Sequence, residues 1–444
     1  MLRRGFSFLL NGFPAFALVL LALGGLHPRA YGFPFPHRHH ARRLLVGYFT
    51  NDGIYNPTPF FVKDLVANGS ASRLDQIDYA AASVTGGRCS LGDPLTDLLT
   101  TYAARNSVNG EADNPASPFR GYFHQLQELK RRFPRLKILI SLEGQAEDFA
   151  TDAAPQDRSA FVSPCVDLYI RGRFMPGVTQ PGLFDGVDID WESPRRSDAA
   201  NFLSLIEDFR RQMNAVRPGL RLSVAVDQSP EMLPGADFGA IARLADEIGV
   251  MNYDYAGPWS PRTGFLAPLF SRSRRRYAPS IERSIASYEA AGVPARKILM
   301  GLPFYAYGWT GVNDSNHGLF QRGRAVRGDR PYRSIRMLAT SPYIFRDALS
   351  QAPWFFSGGT FWTYEDPVSI RYKVSYAANL RLGGVMIWEL SGDTADADLL
   401  RSAYRALHRP LREKVFARAL AAQTRPSHDE TPSTGASVAS AAPN

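Results

Sequence analysis

Phe184-Asp185-Gly186-Val187-Asp188-Ile189-Asp190-Trp191-Glu192 is the stretch on which the reading of this chain turns. Taken as a strand, its period of two places Asp188, Asp190 and Glu192 on one face. Val187, Ile189 and Trp191 fall on the other, where helices can cover them. Carboxylates two residues apart on such a face sit roughly 6–7 Å from one another. An ordinary core excludes this pattern, because unpaired buried carboxylates are costly. A plain surface strand would leave three large apolar side chains uncovered. What remains is a strand whose inner face lines a polar site. Repulsion among the three acids then keeps at least one carboxyl group protonated near neutral pH. A proton donor beside an ionised neighbour is the equipment that glycosidic bond cleavage requires.

The strand sits in a chain of 444 residues, 45% apolar and 12% aromatic. That is enough for one large globular domain with additions. The formal charge of +9 comes mostly from arginine, and its densest patch is Arg272, Arg274, Arg275 and Arg276 in a Ser-containing loop. No nucleic-acid-binding motif accompanies the patch, so it reads as a solvated loop. Arg3 and Arg4 precede an uncharged stretch from Gly5 to Leu26. Residues 1–32 therefore read as a secretory signal peptide, cut near Ala30 or Gly32, or as an uncleaved signal anchor. Either implies a secreted or membrane-anchored protein facing a non-cytosolic compartment. There, Cys89 and Cys165 are allowed one disulfide without demanding it. Asn68-Gly-Ser70 and Asn313-Asp-Ser315 are glycosylation sequons in a eukaryotic host. Residues 33–43 form a Pro, His and Arg linker, and His37, His39 and His40 lack the Cys or carboxylate neighbours of a metal site. Beyond about Ala421 the chain is Ala, Ser, Thr and Pro, and residues 421–444 read as a disordered tail.

Between these ends, strands and helices alternate. Apolar runs at Leu44 to Phe49, Ile77 to Val84 and Leu136 to Leu142 precede the acidic strand, and four more follow it. These are Leu220 to Val226, Ile248 to Tyr253, Ile298 to Leu302 and Val385 to Glu389. Helical spacing appears at Phe123 to Phe133, Phe161 to Ile170, Ala200 to Val216 and Ile281 to Ala291, the last closed by Gly292. Phe202, Leu203, Ile206 and Phe209 form the apolar stripe of the third. Eight strands separated by crossovers predict an α/β fold, a (β/α)8 TIM barrel spanning residues 44–407. A doubly wound sheet is disfavoured, since no Gly-rich phosphate loop follows the first strand.

Barrel enzymes work at the C-terminal ends of their strands. Glu192 lies at such an end, as do Tyr48, Tyr253 with Asp254, and Trp388 with Glu389. Residues 304–364 are too many for a plain loop. With Trp309, Tyr332, Trp354, Phe355 and Phe356, they read as a small α+β insertion forming one wall of a cleft.

The residues resemble a known family. Asp185-Gly-Val-Asp188-Ile-Asp190-Trp-Glu192 resembles the DGxDxDWE signature of the family 18 glycoside hydrolases, the chitinases. Val250-Met251-Asn252-Tyr253-Asp254-Tyr255 is similar to the family's MxYDY strand, and Gly301-Leu-Pro303-Phe304-Tyr305 to its seventh-strand motif. Trp362 to Asp366, Ser369, Lys373 and Leu382 to Glu389 resemble its closing helix and eighth strand. Three departures stand out. Ser141-Leu-Glu143-Gly144 replaces SxGG, Tyr79-Ala80-Ala81-Ala82 lacks an aromatic after the second strand's tyrosine, and Ala306-Tyr307 replaces Gly-Arg.

The resemblance implies hydrolysis of β-1,4-N-acetylglucosamine linkages with retention, assisted by the substrate. Glu192 would be the general acid. The substrate's own acetamido oxygen would attack, giving an oxazolinium. Asp190 would orient the acetamido group, Asp188 would share a proton with Asp190, and Tyr253 would bond the acetamido oxygen. Tyr48, Asp254, Met251, Trp388, Tyr305 and Trp259 would bind substrate, with Trp388 stacking under the distorted sugar. No metal or other cofactor is implied, the expected partner is a polysaccharide or oligosaccharide substrate containing N-acetylglucosamine, and the protein is expected to be a monomer. Two alternatives share the barrel: a non-catalytic chitin-binding lectin, and an endo-β-N-acetylglucosaminidase acting on N-glycans. The retained Glu192 argues against the first, and cleft shape would decide the second.

Overall fold

The computed structural model describes residues 42–144, 146–271 and 279–416. The N-terminal segment 1–32, linker residues 33–41 with their three histidines, the Arg272 to Arg276 patch and the 421–444 tail lie outside them.

Eight parallel strands close into a barrel. They are β1 (Leu44–Thr50), β2 (Gln76–Thr85), β3 (Lys137–Gly144), β4 (Gly186–Trp191), β5 (Arg221–Val226), β6 (Glu247–Val250), β7 (Ile298–Pro303) and β8 (Gly384–Trp388). Each pairs with its sequence neighbours, and β1 pairs with both β2 and β8, which leaves no edge in the ring. All eight expected strands are present, with ends shifted by a few residues. The largest shift is at β6, expected to reach Tyr253 but ending at Val250. Beyond it the amides of Asn252 and Tyr253 turn back onto the carbonyls of Val250 and Met251, so the chain leaves the sheet.

Alternation along the strands decides what fills the ring and what faces the helices. The outward side chain Trp191 stacks on Phe149 at 5.3 Å and meets Phe202 edge-on. Phe202 belongs to helix Ala199–Val216, whose buried stripe also holds Leu205, Ile206, Phe209 and Met213. Leu205 takes the place expected for Leu203, because a period of 3.6 carries the stripe there. Helix Arg158–Cys165 runs on into a wider turn, Val166–Ile170. Cys165 is disulfide-bonded to Cys89 on the short strand Arg88–Ser90, which folds back against β2. Helix Ile281–Ala290 starts where Ser280 accepts the amide of Arg283, and Gly292 follows it with φ 92°.

Asp185 and Gly186, at the start of the acidic stretch, hold the strand rather than a ligand. Asp185 accepts Lys130 Nζ at 2.7 Å and the amide of Ile138 at 3.0 Å, fixing the entry to β4. Gly186 must be glycine, since a Cβ there would lie 2.0 Å from the carbonyl oxygen of Arg221.

After β7 the chain enters the expected insertion. Strand Tyr305–Thr310 pairs with Thr360–Thr363, which continues through Pro353–Ser357 to Ile344–Arg346. Helix Tyr332–Leu338 lies between. Phe265, Trp309, Leu319, Trp354 and Phe361 make a separate small core beneath this sheet. The chain then returns through helix Pro367–Asn379, where Lys373 (0% exposed) is ion-paired to Glu365 (1% exposed). Substituting one partner of such a pair strands a buried charge, at a cost of about 3–5 kcal/mol. Lys373→Met should therefore lower the urea unfolding free energy by about that much. Adding Glu365→Gln in the same chain should recover most of the loss; no recovery would show that the pair is not what holds this corner.

Candidate active site

At the C-terminal mouth of the barrel, β4 presents its acids inward. Asp188 is 0% exposed and Asp190 is 5% exposed, while Glu192, one residue past the strand, is open to solvent. Neighbouring strands supply the donors that make Asp188 tolerable. Tyr48 on β1 and Ser141 on β3 each donate a hydroxyl to Asp188 Oδ2 at 2.9 Å. Ser223 on β5 is a third hydroxyl partner. Ser141 can reach because its Cα is the register partner of Asp188, just as Glu143 is that of Asp190. One oxygen on each buried aspartate, Oδ1 in both cases, has no partner among the described residues.

The turn after β6 brings in the next group. Tyr253 is buried, and Gln228 donates to its carbonyl at 2.7 Å. Asp254 has left-handed backbone (φ 63°) and accepts the Tyr305 hydroxyl at 2.5 Å. Tyr307 also hydrogen-bonds Asp254. Tyr253 packs edge-on against Tyr305 at 6.0 Å, Tyr305 against Tyr307 at 5.4 Å, and Tyr307 against Trp259 at 5.5 Å. This aromatic row climbs from the mouth to Trp259, which is 62% exposed. Opposite it, Trp388 at the end of β8 is half-buried, 5.2 Å from the Tyr48 ring. Met251 is half-buried and donates its amide to Val226 between the ends of β5 and β6. A cleft of about 420 Å³ beside Trp388 is lined by Asp52, Ala80 to Thr85, Glu143 and Asp148, among others.

The model of glycosyl hydrolases family 18 matches residues 44–393. The chain belongs to that family. It is 33% identical over 376 residues to chitinase C of Streptomyces lividans, covering 81% of this chain and 59% of that protein. It is 31% identical over 381 residues to chitinase 63 of Streptomyces plicatus, covering 82% and 60%. The chain thus matches about three-fifths of the length of these curated relatives. Its fold is similar to the catalytic domain of the psychrophilic chitinase B from Arthrobacter TAD20, with TM-score 0.75 and 28% identity, covering 86% of this chain and 97% of that one.

The mouth of the barrel is crowded with carboxylates, and burial and mutual repulsion shift their pKa values upward. Burial first, then the charges of Asp188, Glu143, Glu192 and Asp227, push the Asp190 carboxyl well above the usual range. Asp188 is also raised by burial, against the pull of its three hydroxyl donors. Burial and the Glu192 charge carry Asp227, at the end of β5, up to about 6. Burial brings Asp254 to about 6 as well, although the Tyr305 hydroxyl pulls the other way.

Tyr48, Asp188, Asp190, Glu192, Tyr253, Asp254, Tyr305, Trp259 and Trp388 are thus linked around the strand ends, with Met251 between β5 and β6. Four further participants, Ser141, Ser223, Asp227 and Tyr307, carried no role in the motif reading. Ser141 had a signal, lying in the strand next to the acidic one in sequence order, two residues before an end that the motif comparison marked. Asp227 and Tyr307 had none: Asp227 nears Glu192 because β5 lies beside β4, and Tyr307 nears Asp254 only through the insertion's first strand.

Two carboxyls at about 6 make a prediction about pH. Their folded pKa lies above the unfolded value of 3.8, so between about 4 and 6 the native state holds more protons. Stability falls as pH rises through that window. Removing one such charge should reverse its share, so Asp227→Asn should be more stable than wild type at pH 7 by up to about 3 kcal/mol. The gain should disappear below about pH 4, where the carboxyl is protonated in both states. Urea unfolding across pH 3–8 checks this, and a gain that stays constant with pH would rule out the electrostatic origin.

Proposed function

We propose that this protein hydrolyses β-1,4 linkages between N-acetylglucosamine units of chitin or its oligomers, with retention at the anomeric carbon. The observation that carries the reading is the gradient of burial along β4, from buried Asp188 through Asp190 to solvent-facing Glu192. Of the three acids only Glu192 is open to solvent, while Asp190 lies beneath with an unpartnered oxygen.

In this mechanism Glu192 gives its proton to the glycosidic oxygen as the bond from that oxygen to the anomeric carbon breaks. The acetamido oxygen of the same sugar attacks the anomeric carbon and forms an oxazolinium. Positive charge develops on the acetamido nitrogen, and the N–H donates to Asp190, whose attraction grows with that charge. Asp188 and Asp190 hold one proton between them; the hydroxyls of Tyr48 and Ser141 favour the charge on Asp188 in the free enzyme. Tyr253 donates its hydroxyl to the acetamido oxygen and sets its line of attack. Trp388 is the floor beneath the strained sugar, and Asp254, fixed by Tyr305, holds a sugar hydroxyl. Water then attacks the anomeric carbon and returns a proton to the Glu192 carboxylate. Trp259 and Met251 complete the walls that receive the chain.

The two Streptomyces relatives are chitinases, which supports the same substrate. The Cys89–Cys165 disulfide fits export to an oxidising compartment, as the N-terminal reading expects.

Glu192→Gln should cut turnover of chitohexaose by at least about a hundredfold, while oligosaccharide binding survives. Retention of more than about a tenth of wild-type turnover would place the acid elsewhere. The chemistry has its own test in proton NMR of fresh products. The β-anomer should appear first, cellulose oligomers should be inert, and a thiazoline mimic of the cyclised sugar should inhibit. An α-anomer appearing first would mean inversion by an activated water, and the acetamido nucleophile would have to be given up.

A further inference from the structure

The mouth gathers carboxylates, and the opposite end of the barrel gathers arginines. The strands run parallel, so every turn from a helix into a strand lies on the face away from the mouth. Arg135, Arg217, Arg296 and Arg381 stand in the turns that lead into β3, β5, β7 and β8, and Arg409 caps helix Asp398–His408 at its end. All five are exposed, and among the described residues none is in an ion pair. The aspartates of this end are already engaged. Asp75, Asp185 and Asp246 accept the amides of Leu45, Ile138 and Leu222 at 2.9, 3.0 and 2.9 Å. Each also holds a cation: Arg42, Lys130 and Arg210 in turn. A helix C-terminus favours a nearby cation but carries only about half a negative charge, so the arginines keep this face positive. Between the turns into β2 and β3, Arg42, Arg132 and Arg135 surround a cavity of about 330 Å³, with Ser72 and Phe133 beside them. The one carboxylate among its lining residues, Asp75, is ion-paired to Arg42 at 2.8 Å.

We propose that this arginine face docks on the headgroup phosphates of an anionic phospholipid leaflet. The cavity between Arg42, Arg132 and Arg135 seats one phosphate, and the mouth is turned away from the membrane. A guanidinium presents a planar fork of donors that matches phosphate oxygens, and Arg132 and Arg135 have no carboxylate partner to give up. The arginines are spread round the ring, on turns into separate strands, rather than along one groove. That distribution meets a surface and not a single polymer strand. The carboxylates at the other end are repelled by the same leaflet, which fixes the orientation. The course of the chain agrees. It enters the described barrel on this face, at Arg42, after a linker that adds Arg38 to the same charge. The uncharged stretch from Gly5 to Leu26 is therefore joined to the docking face and not to the mouth.

The test is hydrogen exchange of the full chain, read by mass spectrometry on two kinds of vesicle: phosphatidylcholine alone, and phosphatidylcholine mixed with phosphatidylglycerol. Residues 131–136 and 294–297 should exchange more slowly on the mixed vesicles than on the neutral ones, while residues 251–255 at the mouth should not differ. Comparing the two lipids cancels any apolar contact of the N-terminal stretch, which both vesicles offer alike. Salt at about 1 M, where the screening length is about 3 Å, should erase the difference. Arg132→Glu with Arg135→Glu should erase it as well, with turnover of chitohexaose unchanged, since neither side chain lies at the mouth. Arg132→Lys with Arg135→Lys keeps the charge and should keep the difference. Equal exchange on both vesicles in wild type would overturn the proposal, and so would slowing confined to the mouth. A difference that survives the double glutamate substitution would overturn the phosphate seat. Polyphosphate slowing these turns where phosphatidylglycerol does not would mean a soluble polyanion, and the lipid surface would have to be given up. The wild-type comparison needs no variant, so a poorly folding double substitution leaves the question decidable.

Discussion

Everything at the mouth depends on keeping Asp188 inside the barrel. A carboxylate with no exposure is tolerated only where hydroxyls surround it, and here they come from three other strands. Tyr48, Ser141 and Ser223 thus report on the register of β1, β3 and β5 against β4. A slip of one residue in β3 would turn Ser141 outward and drive Leu142 against the carboxylate. The apolar rule that builds most barrels says only which side faces in. This polar cluster also says at what height each strand must stand.

The fold was largely legible because eight short apolar runs and their crossovers leave few architectures. The acidic stretch was legible because period two sorts its side chains by face without any knowledge of neighbours. Neighbours are what the reading lacked. Asp185 belongs to the same motif as Asp190, yet it ties the strand entry to Lys130 and Ile138, far below the mouth. Nothing local distinguishes these two aspartates. Tyr307 stood out only as a departure from the motif, and its link to Asp254 needed the insertion's first strand folded over β6. Asp227 follows an apolar strand in the way many loop aspartates do. The roles of Glu192 and Tyr253 came from resemblance, since periodicity gives a face and not a reaction.

The insertion does more than wall a cleft. Its opening strand carries Tyr305 and Tyr307 to Asp254, a residue with left-handed backbone, which aspartate accepts better than most side chains. The small aromatic core packs Trp309 of that strand, and Tyr307 at its margin, against Phe265 from the segment after β6. Packing in one lobe therefore governs the orientation of a carboxylate in the other.

The disulfide has a reach beyond its immediate surroundings. Cys89 lies at the far end of the hairpin that begins as β2, and the segment from Ala80 to Thr85 between them is part of the cleft wall. Tyr169 adds a hydroxyl bond to Ser90 on the same side. The wall is thus moored at its tip to an outer helix, while β1 and β3 hold its root. Protein produced in a reducing cytosol would form the same ring of strands but leave that tip tied by hydrogen bonding and packing alone. Two preparations with equal helix content could then differ in how well they grip a polymer, and the redox history of the sample becomes a variable of the enzyme itself.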